Sequence, residues 1–297
     1  MLKGPRGGED LGMKFLEKLI SLLEALAKWL GIDVHKVRSV MLRSGVYKLY
    51  ERWLEFQVKD RPVPEHVAII LDGNRRWARM YGLNPWMGHR MGAERVEELL
   101  KWCLDLGIRT VTLYAFSTEN FRRTPREVVE LMKLFKEKLA ELRESDMIRK
   151  HEVRVKIIGR TDLLPPDLRE LAREVEEATR HYDRHFLNIA IAYGGRAEIL
   201  DAVRKIARDV AEGRLRPEEI DEELFERYLY TGYLPPELRD PDLIIRTSGE
   251  ERLSGFLLWQ CAYSELCFLD VYWPEFRRID LLRAIRTYQM RQRRFGR

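Results

Sequence analysis

The sequence predicts an α/β fold built on a single open, mostly parallel sheet of about six strands flanked by helices, with a hydrophobic tunnel. From residue 65 onward, apolar runs alternate with amphipathic helical patterns, which is typical of parallel strands joined by crossover helices. Most polar clusters also come directly after an apolar run. Because the carboxyl ends of parallel strands share one edge, we expect a ligand cleft along that edge.

Two helical patterns precede the sheet and form a predicted N-terminal extension, residues 1–61. In the first, residues 13–30, leucines and one isoleucine recur on one helical stripe. Such a helix either docks on the protein's own core, the commoner outcome, or lies on a membrane surface. The second, residues 34–58, is ended by Arg-Pro-Val-Pro at residues 61–64, because proline cannot continue a helix. The main domain is therefore predicted to span residues 62–297.

The elements of the main domain follow from hydrophobic periodicity. Short apolar runs predict strands at residues 66–71, 109–116, 153–158, 186–192, 243–245 and 266–269. Apolar residues at three- and four-residue spacing predict helices at residues 93–106, 125–143, 166–181, 196–211, 218–230 and 280–293.

Length and composition restrict the function classes. A chain of 297 residues with 45% hydrophobic content can bury one sizeable α/β core. The net charge of +5 fits anionic substrates or lipid headgroups but is too diffuse to indicate nucleic acid. Cys103, Cys261 and Cys267 lack metal-ligand spacing, so we predict reduced core thiols in a cytoplasmic protein. The sequence shows neither an apolar span of about 18 residues nor a secretory signal.

The first polar cluster, Asp-Gly-Asn-Arg-Arg-Trp at residues 72–77, follows the apolar run at residues 67–71. Backbone N–H groups at the start of a helix, with Arg75 and Arg76, can hold phosphate oxygens. Asp72 can ligate a hard cation that bridges those oxygens. By itself, Asp-Gly-Asn is also ordinary turn chemistry, which is the commoner explanation for that tripeptide alone.

A second cluster makes the diphosphate interpretation the stronger one. Residues 246–254 (RTSGEERLS) follow the apolar run at residues 243–245 and again supply arginines, hydroxyls and a glycine, so the chain is predicted to hold two polyanions. Apolar helices would form the walls of the cleft, which suits a phosphate head with a hydrocarbon tail. The predicted cleft collects Asp72, Asn74, Arg75, Arg76, Ser117, Asn120, Arg123, Arg246 and Arg252.

Seven segments of the chain stand out as motifs: HVAIILDGNRR (66–76), Gly88-His89, LYAFSTEN (113–120), NIAIAYGGR (188–196), DLIIRTSGEER (242–252), FLLWQCAYSE (256–265) and RRFG (293–296). In their order and spacing they resemble the cis-prenyltransferases, a family that includes undecaprenyl and dehydrodolichyl diphosphate synthases. The resemblance covers roughly residues 62–297, and the arginine at position 75 resembles that of archaeal and eukaryotic members.

The resemblance implies an enzyme that adds isopentenyl diphosphate repeatedly to farnesyl or geranylgeranyl diphosphate, each new double bond being cis, to build a glycosyl carrier lipid precursor. It implies Mg²⁺ held by Asp72 and Glu265, with Asp72 essential and Asn120 as proton acceptor. It implies a homodimer in which Arg294 and Gly296 reach the partner's isopentenyl diphosphate. The implied allylic site is Gly73, Asn74, Arg75, Arg76, Trp77, His89, Ser117, Thr118, Glu119, Phe121 and Arg123, and the implied isopentenyl diphosphate site is Arg246, Arg252, Leu253 and Ser254.

Some of these assignments have alternatives. An amide is a very poor base at neutral pH, so we expect Asn120 to orient a hydrogen-bond chain while the released diphosphate takes the proton. By composition alone, His89, Trp77 and Phe121 are more typical of a core. Pro85 replaces an arginine that bacterial members use to contact the allylic diphosphate.

A non-catalytic family subunit that supports a partner enzyme is the alternative function. It is disfavoured because Asp72, Glu265 and the terminal Arg-x-Gly are all present.

Overall fold

The computed structural model describes residues 46–291, together with residues 18, 22, 25, 26, 29 and 30. Most of the predicted amphipathic helix at residues 13–30, and the start of the pattern at 34–58, lie outside the described residues. The same is true of Arg294 and Gly296. Among the described residues, no helix is long and apolar enough to span a membrane.

The core is a six-stranded sheet in which every neighbouring pair is parallel, as the sequence predicts. Its strands are β1 (His66–Ile70), β2 (Thr110–Ser117), β3 (Val153–Ile158), β4 (His185–Tyr193), β5 (Leu243–Thr247) and β6 (Glu265–Leu269), and their spatial order is β3-β4-β2-β1-β5-β6. From β1 the chain proceeds to one side of the sheet, and from β5 it proceeds to the other. The carboxyl ends of β1 and β5 therefore form the crevice where open sheets bind ligands.

Helices cover both faces of the sheet. They are α1 (Val46–Lys59), α2 (Asn74–Met80), α3 (Pro85–Asp105), α4 (Pro125–Glu144), α5 (Asp146–Lys150), α6 (Pro166–Thr179), α7 (Gly195–Ala211), α8 (Glu222–Tyr228) and α9 (Arg278–Met290). Cys103, Cys261 and Cys267 are free thiols, and Cys103 is buried.

Two predicted helix boundaries are wrong. Helix α3 begins at Pro85 rather than at residue 93, because proline is well suited to the first turn and the glycines that follow it pack closely on α2. A Cβ on Gly88 would lie 2.1 Å from the Asn74 carbonyl oxygen. The helix predicted at 218–230 is interrupted at Asp221, whose carboxylate accepts the Leu224 N–H at 2.8 Å and starts α8.

Helix α1 is joined to the main core rather than standing apart from it. Tyr50, Leu54 and Val58 are fully buried in the same apolar cluster as the strands. The Arg278 guanidinium on α9 donates to both carboxylate oxygens of Glu55, at 2.9 and 3.0 Å. The second helical pattern of the extension thus docks on α9.

Candidate active site

The candidate site lies at the crevice between β1 and β5. Ile70 pairs with Arg246 in the sheet, so Asp72 emerges beside the end of β5. The Thr247 hydroxyl accepts the Asp72 N–H at 3.1 Å and donates to the Asp72 carbonyl oxygen at 2.7 Å. A single buried hydroxyl therefore fixes the Asp72 backbone against β5.

The Asp72 carboxylate joins the two arginine clusters that the sequence predicts. Oδ2 accepts a hydrogen bond from Arg246 Nη2 at 2.8 Å, and Oδ1 lies 3.2 Å from Arg76 Nη2. Oδ1 also accepts the Gly73 N–H at 2.7 Å. Burial alone would raise the pKa of the Asp72 carboxyl, but the Arg246 hydrogen bond and the charges of Arg246 and Arg76 outweigh it and hold the pKa below its ordinary value.

Arg246 is buried to a degree that is rare for arginine, with 4% of the residue exposed. Its Nη1 donates to the Arg252 carbonyl oxygen and, at 2.8 Å, to Ser254 Oγ. Its Nε is buried without a hydrogen-bond partner in the described structure. An oxyanion is the kind of ligand that would complete this donor set.

The turn before α2 requires glycine at position 73. Gly73 has φ of +105°, and a Cβ there would lie 2.7 Å from the Tyr272 ring. Arg76 closes the turn from the other side, because its Nη2 donates to Ser248 Oγ at 2.6 Å. Asn74 Nδ2 donates to the Leu71 carbonyl oxygen at 3.2 Å, while its Oδ1 is buried without a partner in the described structure.

A buried carboxylate that the sequence analysis missed organises the other side of the cleft. The side chain of Glu127 is 6% exposed, and its Oε1 lies 3.1 Å from Arg123 Nη1, 3.3 Å from His89 Nε2 and 3.6 Å from Arg75 Nε. In the sequence, Glu127 follows Thr124 by three residues, and this Thr-x-x-Glu pattern is typical of a helix cap rather than of a binding site. Thr124 Oγ1 does accept the Glu127 N–H at 3.4 Å, but the carboxylate points to the cations.

This cluster sets the ionisation of His89. Burial lowers the pKa of the imidazole, and the nearby charges of Arg123 and Arg75 lower it further, against the opposing effect of Glu127. His89 is therefore neutral at pH 7 and can accept or donate a hydrogen bond.

Residues 117–121 form a tight turn at the end of β2. The amide oxygen of Asn120 accepts the Ser117 N–H at 3.0 Å. Phe121 packs edge-on against Phe116, with ring centroids 4.9 Å apart. The hydroxyl of Thr118 lies against Gly194, where a Cβ would be 2.9 Å away. The amide oxygen of Asn120 thus already accepts one hydrogen bond within the turn.

Four predicted contact residues have evident structural partners or exposed positions. Trp77 Nε1 donates to Glu275 at 3.1 Å. Leu253 packs with the apolar cluster around Phe256. The side chain of Arg252 is 62% exposed and pairs with Glu250, and Glu119 is exposed.

An apolar cavity of about 390 Å³ lies between the sheet, α3 and α4. Leu71, the neighbour of Asp72, lines one end, and Ser145 and Met147 line another part of the wall. Lys138 donates to Glu97 at 3.0 Å and to Glu141 at 2.6 Å, which adds charged groups to the lining. The remaining lining is mostly aliphatic: Ala93, Val96, Leu100, Leu113, Ala115, Leu134, Phe135, Leu139, Leu142, Ile189 and Ile191.

Comparison with known proteins identifies the family. A family model described as undecaprenyl diphosphate synthase matches residues 70–296. The chain belongs to the undecaprenyl diphosphate synthase family. This confirms the family predicted from the motifs.

Relatives within this family are similar over nearly their whole length. The geranylgeranyl-diphosphate-specific tritrans,polycis-undecaprenyl-diphosphate synthase of Methanopyrus kandleri is 60% identical over 90% of this chain and 98% of its own. The Methanocaldococcus jannaschii enzyme of the same name is 53% identical over 96% of this chain and 100% of its own. The crystal structure of lavandulyl diphosphate synthase from Lavandula x intermedia, in complex with dimethylallyl diphosphate, matches with a TM-score of 0.74 and 37% identity over 79% of this chain and 99% of its own.

Within one chain of this prenyltransferase, Glu265 does not meet Asp72. Glu265 begins β6 and is level with Leu243 and Val67, at the amino edge of the sheet. Asp72 lies beyond the end of β1 and five residues after Val67, which corresponds to about 16 Å at the rise of a strand. Glu265 instead pairs with Arg291, with Oε2 2.7 Å from Nη1. A metal ion held by both carboxylates would require a second copy of the chain.

The site fits Mg²⁺ that arrives with a diphosphate rather than an ion held by protein alone. The described residues contain no group of three or more His, Cys, Asp or Glu side chains placed to hold a metal. Asp72 offers an ionised carboxylate next to arginines that can bind the diphosphate oxygens. Mg²⁺ commonly takes one or two carboxylates together with substrate phosphates.

Replacing Glu127 with alanine should lower the free energy of unfolding by about 2 kcal/mol, because it removes the buried carboxylate that pairs with Arg123 and Arg75. The loss is limited because the side chains of these arginines are 22% and 41% exposed and keep part of their hydration. Thermal unfolding at pH 7 would measure this. Glu130→Ala on the same helix is the control, since Glu130 pairs with the exposed Lys133 and should cost less than about 1 kcal/mol.

The pH dependence of the free energy of unfolding provides a second test of the role of Glu127. The His89 hydrogen bond, together with the charges of Arg123 and Arg75, keeps the pKa of Glu127 below its ordinary value. Its stabilisation is therefore fully present above the ordinary glutamate pKa and is lost as the pH falls through the depressed one. The difference between Glu127→Ala and the unmodified protein should shrink on acidification. A difference that is constant down to strong acid would contradict the ion-pair assignment.

Proposed function

We propose that this protein is a cis-prenyltransferase that condenses isopentenyl diphosphate sequentially onto geranylgeranyl diphosphate. Its product is a long polyprenyl diphosphate of the undecaprenyl class, a precursor of glycosyl carrier lipids. The observation that carries the proposal is that one ionised carboxylate, Asp72, joins the two arginine clusters beside an apolar cavity. We call the cluster around Arg76 the first cradle and the cluster around Arg246 the second cradle. The names of the archaeal relatives support the starter and the product class.

Each cradle takes one substrate in this proposal. The allylic diphosphate lies against Arg75, Arg76, His89 and Arg123, with its hydrocarbon chain in the cavity. The isopentenyl diphosphate lies against Arg246, Arg252, Leu253 and Ser254. Breaking the allylic C–O bond leaves negative charge on the diphosphate, which preorganised arginines stabilise as it develops. Mg²⁺ bound by Asp72 would neutralise part of that charge.

The new C–C bond joins the allylic cation to the terminal alkene carbon of isopentenyl diphosphate, which leaves a cation on the methyl-bearing carbon. A proton then leaves the CH2 group on the other side of that cationic carbon, and the new double bond forms between the two. Asn120 is a poor acceptor for it, since an amide has little basicity and its oxygen already accepts the Ser117 N–H. The proton passes to an oxygen of the released diphosphate. Asn120 acts by holding the turn that presents Ser117 and Phe121.

Asn120→Asp should therefore retain more activity than Asn120→Ala. An aspartate oxygen can still accept the Ser117 N–H, whereas alanine removes the acceptor and costs about 1 kcal/mol or more in the turn. Initial rates of isopentenyl diphosphate incorporation would compare the two variants. Equal losses would contradict a hydrogen-bonding role.

The working unit in this proposal is a homodimer, cytoplasmic, with peripheral membrane contact through the amphipathic N-terminal segment. The distance between Glu265 and Asp72 within one chain supports a second copy. So does the terminal segment with Arg294 and Gly296, which matches the family element that reaches the partner's isopentenyl diphosphate.

Deleting residues 294–297 should lower turnover at least about tenfold, because a cross-subunit contact that positions the second substrate is lost. Steady-state kinetics with isopentenyl diphosphate as the varied substrate would measure it. Deleting Arg297 alone is the matched control and should leave turnover near normal. Unchanged kinetics for the longer deletion would refute the cross-subunit role.

Incubation with radiolabelled isopentenyl diphosphate, Mg²⁺ and C10, C15 or C20 allylic starters tests the function directly. We expect long-chain products with the C20 starter preferred, resolved by reversed-phase chromatography. A non-catalytic subunit would incorporate no label with any starter.

A further inference from the structure

We infer that the Glu250 carboxylate is an internal anion that occupies Arg76 and Arg252 in the substrate-free enzyme and must be displaced when a diphosphate binds. The inference rests on the proposed function for the identity of that diphosphate. Glu250 then acts as a positioning residue that sets the affinity of the second cradle and helps each released diphosphate to leave.

Glu250 bridges two arginines that belong to different cradles. Its Oε1 accepts a hydrogen bond from Arg76 Nη1 at 2.9 Å, and its other oxygen pairs with Arg252 Nη1. Using both oxygens on two guanidiniums is how a phosphate group would bind there. Glu250 therefore occupies the donors that a bridging diphosphate needs.

Both terminal nitrogens of Arg76 already contact acceptors in this arrangement. Nη2 contacts both Asp72 and Ser248 Oγ, and Nη1 contacts Glu250 and, at 3.4 Å, the Ser248 carbonyl oxygen. With two carboxylates on one guanidinium, a diphosphate meets terminal nitrogens of Arg76 that already have acceptors. Because Asp72 is also fixed by Arg246, Glu250 is the partner that can leave.

The loop around Glu250 allows the side chain to move while its backbone stays in place. The Ser248 N–H donates to the Val271 carbonyl oxygen at 2.7 Å, and the Gly249 N–H donates to that of Leu269 at 3.0 Å, so the loop is pinned beside β6. The side chain of Glu250 is 28% exposed, which leaves water on one side into which it can rotate. Displacement therefore needs a rotamer change only.

Exchange between the Glu250 carboxylate and a bound diphosphate would help the enzyme to release its diphosphate product. Every condensation leaves one diphosphate in the first cradle, against Arg76, and it must depart before the elongated product can move there from the second cradle. Arg76 with no competing anion would hold that diphosphate tightly. A carboxylate that returns to Arg76 lowers the cost of separating the charges, because the arginine exchanges one anion for another.

The test compares Glu250→Gln with Glu251→Gln in the full-length protein. Both changes remove one negative charge from the same loop, but Glu251 is exposed and has no ion pair with the described residues. The two variants therefore have the same net charge on this loop and differ only in whether the contact that bridges Arg76 and Arg252 is weakened. Isothermal titration with inorganic diphosphate at fixed Mg²⁺ gives the dissociation constants.

We expect Glu250→Gln to bind inorganic diphosphate at least about fivefold more tightly than Glu251→Gln, a change in the range of a partly exposed ion pair. In steady state, the KM for isopentenyl diphosphate should fall, kcat should fall with it, and product inhibition by diphosphate should strengthen. Loss of a merely structural contact would raise KM instead. Binding by Glu250→Gln that is equal to or weaker than that of Glu251→Gln overturns the inference. The titration stands whether or not the unmodified protein turns over prenyl substrates, so failure of the proposed function is seen separately.

Discussion

Asp72→Asn should lower kcat by at least about 10³-fold while leaving the fold intact. Asparagine keeps the size of the side chain and can still accept from Arg246 and Gly73, but it has no negative charge to hold Mg²⁺ or to balance Arg246 and Arg76. Single-turnover incorporation of labelled isopentenyl diphosphate, at saturating allylic substrate and Mg²⁺, measures the step directly.

Asp201→Asn is the matched control for this change. Asp201 also pairs with an arginine, with Oδ1 2.9 Å from Arg160 Nη2, and its side chain is 22% exposed against 27% for Asp72. It lies on α7, outside the predicted cleft, and should retain near-normal turnover. If Asp72→Asn retained full elongation, Asp72 would not be the metal-bearing group. Because its pKa lies below the ordinary aspartate value, Asp72 should not produce an acid limb of the rate profile at neutral or mildly acidic pH.

Ala93→Phe should shorten the longest product by several five-carbon units. Ala93 lines the cavity from α3, so a phenyl ring there would fill space that the growing chain needs. Early condensations should continue at near-normal rate, since the diphosphate cradles are not touched. Chromatography of products after long incubation with a C20 starter reports the length distribution.

Glu94→Phe is the control on the same helix. Glu94 is exposed and does not line the cavity, so the same bulk one residue further along should not change the products. A product distribution that Ala93→Phe leaves unaltered would mean that the lipid chain grows elsewhere, and the cavity would lose its proposed role.

The strands were predictable because each is a short apolar run bounded by turn residues, and their bounds agree with the structure within two residues. Helix starts were less predictable. Helix α3 extends back to Pro85 because Gly88 and Gly92 pack on Asn74, a contact between elements that periodicity does not encode. The break before α8 depends on one cap, Asp221, inside an otherwise helical pattern.

The first and second anion cradles were visible in the sequence as arginine-rich turns after strands. The contact that joins the two cradles was not visible in the sequence, because the order of residues does not show that Arg246 donates to Asp72 at 2.8 Å. Glu127 was also missed. It follows Thr124 at the spacing of a helix cap and Arg123 at the spacing of a local i,i+4 ion pair. The approach of α2 and α3 adds Arg75 and His89 to its partners, which the local sequence does not encode.

The sequence by itself determined the alternation of strands and helices, the family and the side chains available for binding diphosphates, because these depend on local periodicity and on motifs. The tertiary structure decided which charges meet. It placed β1 beside β5, so that Asp72 links both cradles, and put Glu265 at the opposite edge of the sheet. The physical reason is that electrostatic pairing depends on distance in space, which the strand order sets and the chain order does not.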